Sequence, residues 1–157
     1  MSTMFQDVET KNIHGDDLPW VPFTPYSDEV ELKYFRIDPV RGEIVVSMRF
    51  PAGLELPKHH HTGIVIGHTL RGAWRYLEHD WVSRAGDTVY ETAASAHTPL
   101  SVEDTEVFFL IVGELEFIDA DGNLLARENW KTSLKRYHDY CEAHGIEAQD
   151  LTSFAVA

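Results

Sequence analysis

From residue 31 onward the sequence alternates short runs rich in β-branched and aromatic residues with turn signals. The runs cover residues 31–37, 43–50, 64–70, 73–79, 87–91 and 105–118. The turn signals contain glycine, at Gly53, Gly72, Gly86 and Gly122. Short strands at this spacing are typical of antiparallel β-barrels and sandwiches. The sequence therefore predicts an all-β barrel core over residues 31–119.

The two ends of the chain differ from this core. Residues 1–30 are polar and then rich in proline, which favours an extended N-terminal arm anchored by Trp20 and Phe23. Residues 120–157 contain the end of a hairpin and then apolar residues at helical spacing. Asn129 or Thr132 would cap the start of this C-terminal α-helix, and Gly145 its end. We see no internal repeat, and we predict a single domain over residues 1–157.

The balance of charge restricts the partners of this chain. It has 13 Lys and Arg residues against 26 Asp and Glu residues, a formal net charge of -13. Such a surface repels phosphate backbones and anionic lipid headgroups, so we expect neither nucleic acid nor a membrane as partner. Without a signal peptide or a long apolar segment, the expected location is cytoplasmic. Cys141 is the only cysteine, which excludes an internal disulfide.

Three consecutive histidines open one of the β-rich regions. In a strand, alternate side chains share a face, so His59 and His61 would point one way and His60 the other. Two imidazoles two residues apart can bind one metal ion together with a third ligand from a neighbouring strand, and His97 is the candidate. The alternative is that residues 59–61 form a solvated turn and that His97 caps a loop.

The spacing of glycines around these histidines resembles the two sequence motifs of the cupins. Gly53, His59, His61 and Gly72 match the first motif, and Gly86 and His97 match the second. This resemblance implies a jelly-roll barrel, or double-stranded β-helix. It also implies that the motif's glutamate ligand would fall at Val65, which cannot bind a metal. The proline and glycine of the second motif are likewise replaced, by Thr92 and Ala94.

Longer stretches are similar to one group of cupins, the 2,4'-dihydroxyacetophenone dioxygenase-like family. They are residues 18–22 (LPWVP), 59–63 (HHHTG), 68–81 (HTLRGAWRYLEHDW), 89–91 (VYE) and 137–145 (YHDYCEAHG). This resemblance implies a non-haem iron site in which His59, His61 and His97 bind one divalent metal, Fe(II) before Zn, Ni or Mn. The implied reaction uses O2 to split an aryl α-hydroxyketone into a carboxylate and formate.

Side chains near the predicted ligands supply candidates for the rest of such a site. Glu91 and Glu78 could orient a ligand or take the proton of a substrate hydroxyl, and Tyr76 could donate a hydrogen bond to an oxygen atom. Trp74 and Val65 would line the pocket of the ketone. Trp74, Tyr76 and Glu78 alternate along one run and are expected to face inward. For each of these side chains the alternative is ordinary filling of the barrel or a surface ion pair.

Other activities remain open at this level. The same scaffold could cleave a β-diketone such as acetylacetone or catalyse an isomerisation, and a non-catalytic alternative is a zinc-binding regulatory cupin of the anti-sigma-factor type. The expected partners are a small ketone and O2, together with further copies of the chain in a dimer or tetramer.

Overall fold

The computed structural model describes residues 10–152, which form β-strands throughout and one α-helix near the C-terminal end. The strands are β1 (Val21–Pro22), β2 (Glu31–Asp38), β3 (Glu43–Phe50), β4 (His59–His61), β5 (Val65–Arg71), β6 (Ala73–Tyr76), β7 (Ser83–Arg84), β8 (Thr88–Glu91), β9 (Ala96–His97), β10 (Pro99–Ser101), β11 (Thr105–Val112), β12 (Leu115–Ile118) and β13 (Leu124–Glu128). The helix is α1 (Trp130–His144), and a 3-10 turn covers Gly15–Asp17.

The strands pair antiparallel in three sheets. The largest has the order β1-β2-β3-β11-β5-β8, the second β13-β12-β4-β9, and a small third sheet β10-β6-β7. Consecutive strands form some of these pairs, but others join strands distant in sequence, as when β11 pairs with both β3 and β5. This crossed pairing of sheets is the jelly-roll arrangement, and the predicted all-β barrel is confirmed.

Apolar side chains of these sheets form a common core. Val30, Ile37, Val46 and Val107 are each almost fully buried, as is Tyr137 of the helix. Burial of such side chains stabilises the fold by about 1.5–3 kcal/mol each. The alternation of buried and exposed residues along β11 shows that one face of the largest sheet is turned to this core.

Two of the predicted runs end differently in the structure. The run 105–118 is two strands, because the chain turns at Gly113, whose N–H donates to the carbonyl of Gly42. The run 73–79 is a strand only as far as Tyr76, because the N–H of His79 donates back to the carbonyl of Tyr76 and closes a turn. The expectation that Glu78 shares the inward face of Trp74 and Tyr76 is therefore wrong.

The N-terminal arm is held by one short strand and by aromatic contacts. Val21 pairs with Leu32 of β2, and Phe23 is buried against the core. The ring of Trp20 lies 4.1 Å from the guanidinium carbon of Arg49, a cation–π contact at the outer edge of the sheet. Both expected anchors of the arm therefore make contacts, but only Phe23 enters the core. Residues 1–9 of the arm lie outside the described part of the chain.

The C-terminal helix has the predicted ends. The Asn129 side chain accepts from the N–H groups of Lys131 and Thr132. The backbone N–H of Asn129 donates in turn to Thr132 Oγ1, so both predicted capping residues contribute to the start of the helix. Gly145 adopts the left-handed conformation after the last turn. Cys141 is buried on the inner face of the helix. Within residues 10–152, no helix is long and apolar enough to cross a membrane.

Candidate metal centre

The histidine run is a short strand whose side chains alternate as expected. His59 and His61 are 5% and 3% exposed, and their rings lie 4.8 Å apart between centroids. His60 points to the opposite face, where its Nδ1 lies 3.2 Å from a carboxylate oxygen of Glu116. The Nδ1 of His59 is 3.0 Å from the carbonyl of Pro57, which leaves its Nε2 available to a ligand. Strand pairing thus directs two imidazoles, not three, into the barrel.

The third histidine lies beside this pair on the next strand. β9 pairs antiparallel with β4, and His97 is directly opposite His59. His97 is 6% exposed and stacks on the ring of Tyr76, with 4.2 Å between centroids and 15° between planes. Ser95 Oγ lies 2.9 Å from its Nε2. The three histidines are therefore brought together from two paired strands.

A buried carboxyl group joins them from the far edge of the largest sheet. Glu91 is the last residue of β8 and is the cross-strand partner of Val65 on β5. The Tyr76 hydroxyl donates a hydrogen bond to Glu91 Oε1. The other oxygen, Oε2, lies 2.9 Å from His61 Nε2. The residue beside Val65 thus carries the carboxylate that Val65 lacks.

The polar atoms of this cluster have unfilled bonding capacity. Within residues 10–152, four buried side-chain nitrogen or oxygen atoms lack a hydrogen bond: His61 Nδ1, His61 Nε2, Glu91 Oε2 and His97 Nδ1. The contact of His61 Nε2 with Glu91 Oε2 is close but is not an aligned hydrogen bond. Leaving a buried polar atom unpaired costs about 1–3 kcal/mol, so such atoms usually have a missing partner. Imidazole nitrogens and a carboxylate oxygen fit a divalent metal ion as that partner.

The candidate donor atoms are near one another but do not form a ready-made metal site. In the part of the chain that the structure describes, no three His, Cys, Asp or Glu side chains converge tightly enough to hold a metal as they stand. The rings of His61 and His97 are 6.0 Å apart between centroids. Because the group does not converge tightly as it stands, binding of an ion would require small side-chain movements.

Burial favours the neutral form of every group in the cluster. Desolvation lowers the pKa of His59 to about 3 and that of His61 to about 4, and it also lowers the pKa of His97. Desolvation raises the pKa of Glu91 to about 7, although the nearby His97 works against it. Neutral imidazoles are the form that binds metals, so the histidines are ready for an ion at neutral pH.

A small apolar cavity lies on the inner side of the cluster. Its volume is about 40 Å³, and it is lined by His59, His61, Tyr76, Glu91 and aromatic and aliphatic core residues. Val65 and Trp74 are among these lining residues and are both about 1% exposed. The Trp74 indole N–H donates to Thr69 Oγ1, so this ring is fixed within the core. The two predicted substrate-contacting residues thus border the cavity.

A larger cleft lies on the outer side of the same cluster. It has a volume of about 410 Å³ and opens to solvent between β8 and the loop of residues 77–82. Tyr76 and Glu91 line both the cavity and the cleft, whereas His97 lines the cleft alone. The Tyr76–Glu91 hydrogen bond therefore separates the two spaces. His97 and Glu91 are therefore reached from solvent through the cleft, whereas His59 and His61 border only the inner cavity.

Not every predicted residue reaches this centre. Glu78 is exposed and lines neither space, and its two oxygens accept bonds from the N–H and the hydroxyl of Thr98. Partial burial acts to raise its pKa, but these bonds outweigh it and the pKa is lowered. Glu78 therefore fixes the residue after His97 and does not face the cluster.

Sequence reasoning did not predict the cleft wall formed by His79 and Trp81. Both residues border the cleft at positions that lie beyond the end of β6. The available signal was the polar pair His79-Asp80, which interrupts the β-rich run before Trp81. Such an interruption indicates a loop, but it does not show what the loop covers.

Comparison with protein families gives one match to the chain. Residues 8–116 match the family described as the ChrR cupin-like domain. This range contains His59, His61, Glu91 and His97 and all strands up to the start of β12. No curated protein matches the chain significantly in sequence.

Comparison with solved structures gives several similar folds. An RmlC-like cupin protein from Ralstonia eutropha JMP134 is 52% identical, with a TM-score of 0.93 over 98% of this chain and 100% of that one. An acetylacetone dioxygenase from Acinetobacter johnsonii is 18% identical, with a TM-score of 0.77 over 88% and 97%. The anti-sigma factor ChrR of Rhodobacter sphaeroides, solved with SigE, is 21% identical, with a TM-score of 0.50 over 61% and 50%.

Proposed function

This chain belongs to the family of ChrR cupin-like domains, and we propose that it uses the buried histidine cluster as a metal-dependent dioxygenase. The proposed substrate is an aryl α-hydroxyketone, which is cleaved between its carbonyl and hydroxymethyl carbons. One O2 is consumed for each bond cleaved, and the products are an aryl carboxylate and formate, so the atoms balance. The observation that carries the proposal is the group of unpaired donor atoms on His61, Glu91 and His97.

The histidines would hold the metal. His59, His61 and His97 supply neutral imidazoles from β4 and β9, and Fe(II) is the expected ion. When bound, such an ion supplies a Lewis-acid site for the two ketone oxygens and the one-electron chemistry needed for reaction with O2. Three protein ligands leave positions for both reactants.

Glu91 is suited to take a proton from the substrate. The Tyr76 hydroxyl holds its Oε1, while Oε2 has no hydrogen bond and lies beside His61. A ketone hydroxyl bound at the histidines would therefore find Oε2 within reach as proton acceptor. The Tyr76 hydroxyl keeps the carboxyl oriented during this transfer. Apolar neighbours such as Val65 and Trp74 exclude bulk water from the inner side.

Two measurements test this function. The protein is purified without added metal, its metal content is determined, and it is then loaded anaerobically with Fe(II). Addition of 2-hydroxyacetophenone in air should consume O2 and release benzoate and formate in equal amounts. Bound Fe(II) without O2 uptake on any aryl α-hydroxyketone would contradict the proposal.

The main alternative within oxygenases is cleavage of a β-diketone. It is favoured by the similarity of fold to the acetylacetone dioxygenase from Acinetobacter johnsonii, which at 18% identity extends only to the fold. A β-diketone also offers two oxygens, but its acidic proton is on carbon. Acetylacetone in the same O2 assay distinguishes the two, since the better substrate has the higher kcat/KM.

A non-catalytic alternative follows from the family itself. ChrR is an anti-sigma factor, so a related domain could hold zinc for a regulatory purpose. Tightly bound zinc, together with no O2 uptake after replacement by Fe(II), would favour this alternative.

A further inference from the structure

We propose that the cleft between β8 and the loop of residues 77–82 is the binding subsite for the substrate's aromatic ring, and that Trp81 and His79 select aryl over alkyl ketones. The inference rests on the proposed function in one respect, because it places the ketone head group at the histidine cluster. The inference extends the proposed function by assigning a location to the rest of the substrate and by naming the residues that would recognise its ring.

The inner cavity is too small to hold an aromatic ring. Its volume is about 40 Å³, whereas an apolar cavity that binds benzene measures about 150 Å³. The cavity is also closed in by Trp74, which is fixed by its bond to Thr69, and by the rest of the packed core. It can accept an ion and a small part of a ligand, but the ring must lie elsewhere.

The outer cleft has the necessary size and position. At about 410 Å³ it falls within the range of about 300–1,000 Å³ found for small-molecule sites. Its inner end is formed by Tyr76, Glu91 and His97, which are the groups that the head group of the ketone would meet. A ligand that extends from this end towards solvent therefore passes along the loop 77–82.

The outer wall of the cleft is aromatic and already ordered. Trp81 stacks on His79, with 5.5 Å between centroids and 17° between planes. Tyr76 meets the ring of Trp81 at 5.5 Å and 73°, which braces the indole from the inner side. Trp81 nevertheless remains 37% exposed. Its uncovered surface is available to stack on an aromatic ring.

The loop that carries these two residues is fixed at several points. Arg75 donates from Nη2 to the carbonyl of His79 at 2.8 Å. The neighbouring Glu78 accepts from the backbone and side chain of Thr98 at 2.9 and 2.7 Å. A wall held in this way needs little ordering when a ligand binds, which preserves binding free energy. The loop is therefore a preformed recognition surface.

Direct binding tests the subsite without turnover. The protein is loaded with Zn(II), which does not react with O2, and titrated calorimetrically with 2-hydroxyacetophenone and with hydroxyacetone. These probes share the head group and differ in the ring. The variants are Trp81→Ala and His79→Ala, and the matched control is Trp20→Ala, because Trp20 precedes β1 at the opposite edge of the six-stranded sheet from β8.

The proposal makes a differential prediction. Trp81→Ala should weaken binding of 2-hydroxyacetophenone about tenfold and His79→Ala about threefold, with hydroxyacetone changed by less than about twofold. Trp20→Ala should alter neither ligand. Equal weakening of both ligands, unchanged aryl affinity in both cleft variants, or no aryl binding by the unaltered protein would overturn the subsite. Aryl binding that depends on Trp81, combined with no O2 uptake by the Fe(II) protein, would sustain the subsite and reject the dioxygenase.

Discussion

Val65 and Glu91 lie directly opposite each other on the paired strands β5 and β8. The motif glutamate of cupins would fall at Val65, and here the carboxyl group comes instead from the residue across the ladder. The side chain of Glu91 still reaches His61, with 2.9 Å between Oε2 and Nε2. A buried carboxyl group thus lies beside His61 although the residue at the position of the motif glutamate is apolar.

Replacement of Glu91 by Gln should remove the proton acceptor and keep the shape of the site. The amide oxygen can still accept the bond from Tyr76, so the fold should be retained. We expect kcat on 2-hydroxyacetophenone to fall by about 10²–10⁴, the usual contribution of a general base. Steady-state O2 uptake and circular dichroism measure the two effects. An unchanged kcat would show that another group accepts the proton.

His97→Ala should abolish stable metal binding. Loss of a ligand should cost more than the 10–100-fold loss of affinity, roughly, that follows removal of a group that only supports a ligand. His60→Ala is the matched control, since His60 lies on the same strand as two proposed ligands but faces Glu116. Metal content after dialysis against a weak chelator measures both. Equal retention of metal by the two variants would refute the ligand assignment.

Tyr34 should make the stability of the protein fall at alkaline pH. Burial raises its pKa from 10.0 to about 12, so the folded state keeps a proton that the unfolded state loses. The contribution of protonated Tyr34 to the free energy of unfolding is fully present below pH 10 and is lost as pH rises through about 12. The difference in pKa corresponds to about 3 kcal/mol. Urea unfolding of the unaltered protein and of Tyr34→Phe between pH 9 and 12 measures this loss of stability. The same dependence of the free energy of unfolding on pH in both proteins would contradict the prediction.

Gly72 should tolerate alanine much less well than Gly53. Both glycines have positive φ, at +79° and +77°, so alanine is strained in either place. At Gly72 the added carbon would lie 2.2 Å from the carbonyl oxygen of Asp104, whereas nothing lies within 4 Å at Gly53. We expect a loss of about 1 kcal/mol for Gly53→Ala and of more than about 3 kcal/mol for Gly72→Ala. Urea midpoints measure both, and equal losses would show that the backbone contact relaxes.

Local patterns were sufficient to predict much of the fold and the histidine cluster. The alternation of His59 and His61 depends only on the two-residue period of a strand, and the helix ends at Asn129 and Gly145 depend on capping chemistry. Predictions failed where a contact from a distant strand decides the path of the chain. The chain turns after Tyr76, whose carbonyl accepts from the N–H of His79, and Glu78 is held on Thr98 and does not face the histidine cluster.

The cleft was beyond sequence reasoning for the same reason. Trp81 borders it because the loop 77–82 folds back over the rings of Tyr76 and Trp74. That arrangement depends on bonds between Arg75 and His79 and between Glu78 and Thr98, and no periodic pattern encodes them. Binding residues often lie on such loops, which the strands of the fold hold in position.

The ladder that joins β4 to β12 and β9 has a consequence for how the sequence can vary. β4 has only three residues, and its register is fixed by pairing on both sides, with His59 opposite both Phe117 and His97. A slip of one residue would turn His60 inward and expose both neighbouring histidines, because a strand reverses its faces at each step. An insertion or deletion inside the strand would therefore turn both proposed ligands, His59 and His61, out of the barrel at once, while one in the preceding turn could leave them in place.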